Sequence, residues 1–373
     1  MGAVRGAPAG QPRRLGVTAG EAPERPRVWL LSAYRADSHR AWADGLVRSQ
    51  SGVDWARREL PGRFFRWRIR GNPLSWLGGL PEDRPDLILA TSMVDLATLR
   101  GLNPRLARVP AYYYFHENQF AYPVSPRQVK SVEPQMVQLY GALAAQRLLF
   151  NSAFNRDSFL SGVRTLLRKM PDAVPGGIVE ALAARAAVLP VPVEPLPPGQ
   201  RDPRLILWNH RWEYDKRPDL FADAMLALHR RGADFRLALL GARPEPAPEP
   251  LRRLRQALPE RIVADGRVDR AEYRHLLARA GVVVSTAEHE FQGLAMLEAV
   301  SAGACPLAPD ALCYPEQYPP AHRYPGGDHR ALVERLYGWL RDGPPPAPDV
   351  SGWLAPRLEP AWRALLTPPF EDD

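Results

Sequence analysis

Short apolar runs alternate with amphipathic segments along most of this 373-residue chain, and this alternation constrains the fold more than any other feature. It is typical of βαβ units, in which buried parallel strands are covered by helices on both faces. The predicted strands span 28–33, 87–91, 111–115, 148–150, 187–190, 205–208, 236–240, 262–264, 282–285 and 305–308. The predicted helices span 39–49, 133–146, 155–167, 218–231, 249–258, 270–280, 294–302, 329–341 and 356–366, with an N-cap for the third at Asn151 or Ser152. The pattern predicts an α/β fold.

One proline-dense stretch, residues 191–199, interrupts the alternation. Prolines at this density exclude a helix or a central strand. We therefore expect a linker at 193–203 between Rossmann-like, doubly wound domains at 27–192 and 204–345. A disordered tail at 1–26 and a proline-rich segment with a helix at 346–373 complete the predicted organisation. Ligands of such sheets bind beyond the carboxyl ends of the strands, so the chemistry is expected in the cleft between the two domains.

The chain is basic, with a net charge of +8. This excess would attract polyanions such as RNA or an acidic membrane surface, although an arginine-rich composition spread over the surface explains it equally well. The sequence has no apolar h-region at its start and no run of about 20 apolar residues. Its two cysteines, Cys305 and Cys313, suit a reducing compartment. We expect a cytoplasmic protein without a membrane segment.

Two glutamates eight residues apart, Glu290 and Glu298, follow a predicted buried strand in the second half, in the segment EFQGLAMLE. Gly293 between them allows a tight entry into the next helix. Both carboxylates can then face a ligand at the helix N-terminus, where backbone N–H groups and the helix dipole favour a phosphate. A loop glutamate and a solvated helix glutamate are the alternative interpretation.

Two cations, Arg211 and Lys216, follow the first predicted strand of the same domain and precede Pro218, which can begin a helix. A planar guanidinium and a mobile ammonium suit a diphosphate, and stabilising a departing nucleoside diphosphate is electrostatic catalysis. A solvated basic turn is the alternative. It does not explain why this turn and the paired glutamates are predicted on the same rim of the sheet.

Arg211 and Lys216 followed by the two spaced glutamates resemble the nucleotide-sugar site of retaining GT-B glycosyltransferases of family 4. The resemblance implies two Rossmann-like domains facing across a cleft, and an enzyme that needs no metal and no cofactor. It also implies that Arg211 and Lys216 hold the diphosphate, that Glu298 holds the ribose and that Glu290 contacts sugar hydroxyls. The remaining predicted donor-binding residues are Phe291, Gln292, Gly293 and Leu294.

Longer strings narrow the resemblance to the tRNA-queuosine α-mannosyltransferase family. They are YFHENQFAYPV at 114–124, FNSAFN at 150–155, ILWNHRWEYDK at 206–216, STAEHEF at 285–291 and YPE at 314–316, and the similarity covers roughly residues 28–324. The family implies GDP-mannose as donor substrate and, as acceptor, the cyclopentenediol of queuosine in the anticodon of a tRNA, with tRNA-Asp as partner. The alternative is a family 4 enzyme that uses another sugar nucleotide on a lipid or a small metabolite.

The first half supplies the predicted acceptor side. His116 follows an aromatic strand, and family 4 enzymes commonly have a histidine there, near the transferred sugar. His116 is thus predicted to be catalytic together with Arg211, Lys216 and Glu290. The other predicted acceptor-binding residues are Ser38, His39, Glu117, Asn118 and Gln119. Ser38 has a plainer alternative as a helix N-cap. The first loop also lacks the Gly-Gly pair of many relatives, which leaves its donor contacts open.

The segment 63–70, RFFRWRIR, interleaves arginines with aromatic residues. Both side-chain types stack on unpaired bases, so Arg66 and Arg68 are predicted RNA contacts, and Arg127 and Lys130 are added as phosphate contacts. An exposed amphipathic edge strand is the alternative for this segment. An enzyme acting at a membrane should instead carry an amphipathic helix with a basic rim in the first half, and the predicted helix at 133–146 has no such rim.

Overall fold

The computed structural model of the protein describes residues 25–122 and 131–370, which form two α/β domains. The N-terminal domain consists of β1 (Arg27–Arg35), α1 (Asp37–Ser49), β2 (Asp54–Pro61), α2 (Phe65–Ser75), β3 (Leu87–Thr91), α3 (Leu96–Leu102), β4 (Ala111–Phe115), α4 (Glu133–Leu143), β5 (Arg147–Phe150), α5 (Ala153–Leu167), α6 (Ile178–Ala184) and β6 (Ala186–Val188). The predicted α/β alternation is confirmed.

The C-terminal domain repeats the same plan. It consists of β7 (Asp202–Trp208), α7 (Pro218–Arg230), β8 (Arg236–Leu239), α8 (Glu249–Ala257), β9 (Ile262–Asp265), α9 (Arg270–Arg279), β10 (Ala280–Val284), α10 (Leu294–Ser301), β11 (Cys305–Pro309), α11 (Tyr314–Gln317), β12 (Arg323–Tyr324) and α12 (His329–Asp342). A last helix, α13 (Ala355–Leu365), follows this domain in the chain. β7 begins inside the segment predicted as the linker.

Each domain contains one six-stranded, fully parallel sheet. The strand orders are β2-β1-β3-β4-β5-β6 and β12-β11-β10-β7-β8-β9. The order reverses between β1 and β3 in the first sheet and between β7 and β10 in the second. Loops that leave neighbouring strands at these points diverge to opposite faces of the sheet and open a crevice, which is the usual ligand site of such sheets.

The central strands are continuous apolar runs because helices cover both of their faces. Every residue of β3, β4 and β10 is buried, as expected for parallel sheets. By contrast, the edge strand β2 has the sequence DWARRELP and no fully buried residue, which explains why periodicity did not reveal it. The predicted N-cap at Ser152 is confirmed, since its hydroxyl accepts a hydrogen bond from Asn155 N at 3.0 Å.

The segment 63–70 is not an edge strand, and that alternative is wrong. From Phe65 onward it forms α2, whose exposed residues are both apolar and basic. Ser38 likewise does not cap α1, because Ala36 occupies the N-cap position. Most of the predicted N-terminal tail lies outside the described residues, as do the predicted phosphate contacts Arg127 and Lys130.

Helix α13 crosses back from the C-terminal domain to the N-terminal domain. Its Trp362 is fully buried and contacts the rings of Trp42, at a centroid distance of 5.9 Å, and Tyr114, at 5.3 Å. Just before this helix, Val193 of the linker exchanges backbone hydrogen bonds with the chain at Trp353 and Ala355. The sequence predicts the helix but not its position. Its apolar face is buried in the domain at the opposite end of the chain.

No helix in the described part of the chain is long and apolar enough to cross a membrane. Both cysteines are buried and unpaired, at 1% and 0% exposure for Cys305 and Cys313.

The contact of α13 with the N-terminal domain predicts that Trp362→Ala destabilises the protein strongly. Truncating a buried tryptophan costs about 3–5 kcal/mol of unfolding free energy, because the lost contacts leave a cavity. Urea denaturation followed by circular dichroism measures this loss. Trp67→Ala is the matched control, since Trp67 is 50% exposed and should lose less than about 1 kcal/mol. Equal losses for the two variants would contradict the structural role assigned to α13.

Candidate active site

Four loops meet where the carboxyl ends of the two sheets face each other. They follow β1 and β4 in the N-terminal domain and β7 and β10 in the C-terminal domain. Contacts cross the cleft between them: the rings of Tyr122 and His289 lie 4.4 Å apart. Burial and the charge of Glu117 raise the pKa of Tyr34 near the end of β1, and the charge of Arg211 from the other domain opposes them. The structure therefore brings the two predicted halves of the site together.

Lys216 lies at the centre of the C-terminal half. Its ammonium is 3.1 Å from Oε2 of Glu290 and 3.3 Å from Oδ2 of Asp215, and it donates a hydrogen bond to the carbonyl oxygen of His289 at 2.6 Å. Only 8% of the side chain is exposed. Burial opposes the charge, but the carboxylates of Glu290 and Asp215 outweigh it and raise the pKa of Lys216. A protonated lysine is thus held at the end of β7.

Glu290 is the partner of this lysine and completes the ion pair. Burial favours its neutral form, but the charge of Lys216 prevails and lowers the pKa of Glu290 to about 2. Its second oxygen accepts a hydrogen bond from Phe291 N at 3.2 Å. A second contact joins the same two loops, because the Thr286 hydroxyl donates to the Lys216 carbonyl at 2.8 Å. The loops after β7 and β10 therefore form one rigid unit.

The segment from Phe291 to Leu294 turns tightly into α10. Gly293 has φ 67°, and a Cβ atom there would approach the Tyr314 ring to 3.1 Å, so both its backbone conformation and the space around it require glycine. The side chain of Gln292 is committed to the other domain: it accepts from Val191 N at 2.9 Å and donates to Val191 O at 2.8 Å. Only the backbone of Gln292 can therefore contact a ligand.

Glu298 lies in α10 and accepts a hydrogen bond from the Tyr273 hydroxyl at 2.8 Å. Asn209, the first residue after β7, donates to the same hydroxyl at 3.3 Å and to the Ala295 carbonyl at 2.8 Å. Burial raises the pKa of Glu298, and the hydrogen bond from Tyr273 only partly offsets it. The carboxylate is thus oriented by a tyrosine that sequence analysis missed, because Tyr273 lies on α9, between the two motifs.

Arg211 is the most accessible cation of the site, with 51% of its side chain exposed, and it pairs with Glu213 at 3.1 Å. His210, which precedes it, is buried and was also missed. Burial, reinforced by the nearby charge of Lys216, lowers the pKa of His210 to about 4, so this imidazole is neutral at pH 7. Its position directly after a buried strand is the signal that could have identified it.

His116 is the central residue of the N-terminal half of the site. Its ring lies 4.3 Å from that of His39, 4.6 Å from Trp42 and 4.7 Å from Tyr114. Burial, with a smaller contribution from His39, lowers the pKa of His116 well below its ordinary value, so the ring is neutral. Its Nε2 is buried and has no hydrogen-bond partner among the described residues. Such an atom is costly to leave unpaired, which makes it a candidate for a contact with a ligand.

His39 supports this arrangement, since its Nδ1 donates to the Tyr34 carbonyl at 2.7 Å and thereby fixes the ring. Ser38, one residue earlier, is exposed near the start of α1. Arg35, the last residue of β1, pairs with Glu59 of β2 at 3.4 Å. Glu117 and Gln119 are partly exposed beside His116.

The prediction that Asn118 contacts the acceptor does not hold. Asn118 is 0% exposed, and its amide donates to Asn155 Oδ1 and Ser158 Oγ, both at 2.9 Å. Its carbonyl oxygen accepts from the backbone N–H groups of Phe120 and Ala121 at 3.0 and 2.9 Å. Every polar atom of the side chain is therefore used to shape the loop after β4.

Arg66 and Arg68, the two described RNA-contact candidates, lie in α2, with Arg66 exposed and Arg68 partly buried. They lie near the start of this helix, which follows the edge strand β2 of the N-terminal domain. Within residues 25–122 and 131–370, no group of three His, Cys, Asp or Glu side chains is arranged to hold a metal ion.

Solved structures with the same fold are glycosyltransferases and related synthases. The chain superimposes on sucrose-phosphate synthase from Thermosynechococcus elongatus with a TM-score of 0.65 and 13% identity, covering 92% of this chain and 94% of that one. It superimposes on HepE of Anabaena in complex with UDP and glucose with a TM-score of 0.60 and 14% identity, covering 91% and 94% of the two chains. At this identity the likeness shows the GT-B fold.

Family models and a curated relative are more specific. Residues 27–193 match the N-terminal domain of tRNA-queuosine α-mannosyltransferase, and residues 203–342 match group 1 glycosyl transferases. The tRNA-queuosine α-mannosyltransferase of Drosophila melanogaster is 34% identical over 332 residues, which cover 85% of this chain and 88% of that protein. This chain is therefore a glycosyltransferase with the GT-B fold and belongs to the tRNA-queuosine α-mannosyltransferase family.

Proposed function

We propose that this enzyme transfers mannose from GDP-mannose to the cyclopentenediol of queuosine in a tRNA anticodon, with retention at the anomeric carbon and without a cofactor. The observation that carries the proposal is the cleft itself. The buried Lys216–Glu290 pair lies on one wall, and the unpartnered Nε2 of His116 lies on the other. By analogy with the family, tRNA-Asp is the proposed acceptor tRNA and the cytoplasm the proposed compartment.

The C-terminal wall suits a nucleotide sugar. Arg211 and Lys216 supply two positive charges, and the N-terminus of α10 adds the partial positive charge of its unpaired N–H groups. Glu298, oriented by Tyr273, is an acceptor for the two hydroxyl groups of a ribose. Because the carboxylate neighbours keep Lys216 protonated although it is buried, its charge is available when the diphosphate departs.

The N-terminal wall suits the reacting sugar and the acceptor. In the proposed step, the bond from the anomeric carbon to the diphosphate oxygen breaks, and a bond to a queuosine hydroxyl oxygen forms on the same face. The hydroxyl proton passes to the departing diphosphate oxygen. Neutral His116 is placed to hydrogen-bond a sugar hydroxyl, and a neutral ring adds no charge that would compete with the cations opposite.

A transfer assay tests the donor and the acceptor together. Queuosine-containing tRNA is incubated with radiolabelled GDP-mannose, UDP-glucose or UDP-galactose and then digested to nucleosides. We expect label on queuosine from GDP-mannose only, because mannose is the sugar that the family of the chain transfers. The same tRNA without queuosine is the control and should remain unlabelled. Label from another donor would refute the assigned sugar, and label on no RNA would refute the acceptor.

Replacing the buried lysine tests the electrostatic mechanism. We expect Lys216→Ala to lower kcat by about 10²–10³-fold, as the loss of a preorganised charge donor does elsewhere. Lys169→Ala is the matched control, since Lys169 is exposed on the N-terminal domain and should keep the full rate. Steady-state kinetics with GDP-mannose in excess measure both variants.

The same change leaves Glu290 and Asp215 without their cation, so the variant must also be shown to fold. The double variant Lys216→Ala/Glu290→Gln removes one of the two unpaired charges and should recover part of the thermal stability while staying inactive. A stable, folded Lys216→Ala protein with the wild-type rate would refute the role of this lysine.

A further inference from the structure

Two large aromatic side chains are exposed at the start of α2. Phe64 is 68% exposed and Trp67 is 50% exposed, although burial is the ordinary fate of such residues. The guanidinium of Arg63 lies 5.5 Å from the centre of the Phe64 ring. From Gly62 to Gly79 the sequence contains four arginines and no acidic residue. We call Arg63, Phe64, Arg66 and Trp67 the aromatic lip.

The aromatic lip lies beside the cleft. It follows β2 at the carboxyl end of the N-terminal sheet, on the same edge as His39 and His116. A Cβ atom on Gly62 would approach the Arg35 carbonyl oxygen to 2.9 Å, so this turn is packed directly against the turn that follows β1. The ring of Tyr34, at the end of β1, lies 6.1 Å from the ring of Phe65. An acceptor that occupies the cleft would therefore pass over the lip.

The backbone holds both rings outward. Phe64 has φ 55°, a left-handed conformation that is unfavourable for any residue other than glycine. Gly71 stands in the middle of α2, where glycine weakens a helix. A Cβ atom there would come within 2.6 Å of the Trp67 ring, so the glycine makes room for the indole. Strain and unfavourable residues that persist around exposed groups are typical of functional sites.

We propose that Phe64 and Trp67 are stacking platforms for unpaired bases of the anticodon loop that flank the modified nucleotide. Base–aromatic stacking tolerates any sequence, and the arginines of the lip supply the charge that phosphates require. This inference rests on the proposed tRNA acceptor. It adds the aromatic rings to the arginines as contacts, and it assigns them to bases rather than to the sugar or the donor.

The end of the same helix and the turn after it expose apolar residues farther from the cleft. Leu74 is 60% exposed and Leu77 is 56% exposed, and Leu74 lies about 15 Å from Phe64 along the helix. A membrane surface would use the whole apolar stripe, whereas an RNA loop in the cleft would use only its aromatic end. The two leucines therefore provide a matched control on the same continuous segment of the chain.

The test compares Phe64→Ala/Trp67→Ala with Leu74→Ala/Leu77→Ala. We expect the first pair to raise the KM for queuosine-containing tRNA by at least about tenfold, equivalent to 1.4 kcal/mol. Its kcat should change less than threefold, and its KM for GDP-mannose should not change. The leucine pair should leave all three values unchanged. Phe64→Tyr/Trp67→Phe keeps aromatic faces and should restore the KM for tRNA.

Binding of a fluorescent anticodon stem-loop, measured by anisotropy, separates this inference from the proposed function. Weaker binding by at least about tenfold for the alanine pair alone supports the platforms even if no sugar is transferred. Unchanged binding and unchanged KM, with an active wild type, would overturn the platforms while the proposed function stands. Equal effects of both pairs, together with sedimentation of the wild type on anionic phospholipid vesicles, would identify a membrane-contacting surface instead.

Discussion

The ion pair between Lys216 and Glu290 joins the two loops on which the C-terminal half of the site depends. One partner follows β7 and the other follows β10, strands that are neighbours in the sheet but lie more than 70 residues apart in the chain. Two buried charges at this distance stabilise each other's ionised form, and removing either one would leave an uncompensated charge. The loop that carries Glu290 leads through Gly293 into α10, the helix that carries Glu298.

The cleft has two walls because several contacts hold the domains together. Gln292 bonds both backbone polar atoms of Val191, and Glu316 accepts hydrogen bonds from Ala153 N and Phe154 N at 2.8 and 2.6 Å. The second contact gives a carboxylate of one domain to the N-terminus of α5 in the other, where the helix dipole favours it. These contacts cross the cleft next to the chemistry, and they suit an enzyme that must exclude water from a reactive donor.

The N-terminal wall depends on aromatic packing rather than on charge. The His116 imidazole packs against aromatic rings, including that of Tyr114, and Trp362 of α13 packs against the same tyrosine. The last helix of the chain therefore stabilises the strand that carries a central residue of the first domain. The stability of the N-terminal wall therefore depends on the C-terminal helix. The packed rings also exclude water from around the His116 imidazole, which keeps it neutral.

The sequence alone determined the features that depend on local periodicity and on contiguous motifs. The alternation of apolar runs predicted two parallel sheets, because a strand covered on both faces must be apolar throughout. Lys216 and Glu290 were identified because each lies in the loop after such a strand, and parallel strands end at one edge of their sheet. Edge strand β2 escaped prediction because one exposed face and many charges erase that pattern.

Only the tertiary structure decided which side chains touch. It showed that Asn118 is fully hydrogen-bonded to α5 and to its own loop and that Tyr273, from a helix between the motifs, orients Glu298. It also showed that Trp362 packs against the N-terminal domain and that the Phe64 side chain is exposed beside the cleft. A sequence pattern shows the hydrophobic period and the polarity of one helix or strand. Which side chains from distant elements contact each other depends on how those elements pack. That packing decides which polar groups are already satisfied and which remain for a ligand.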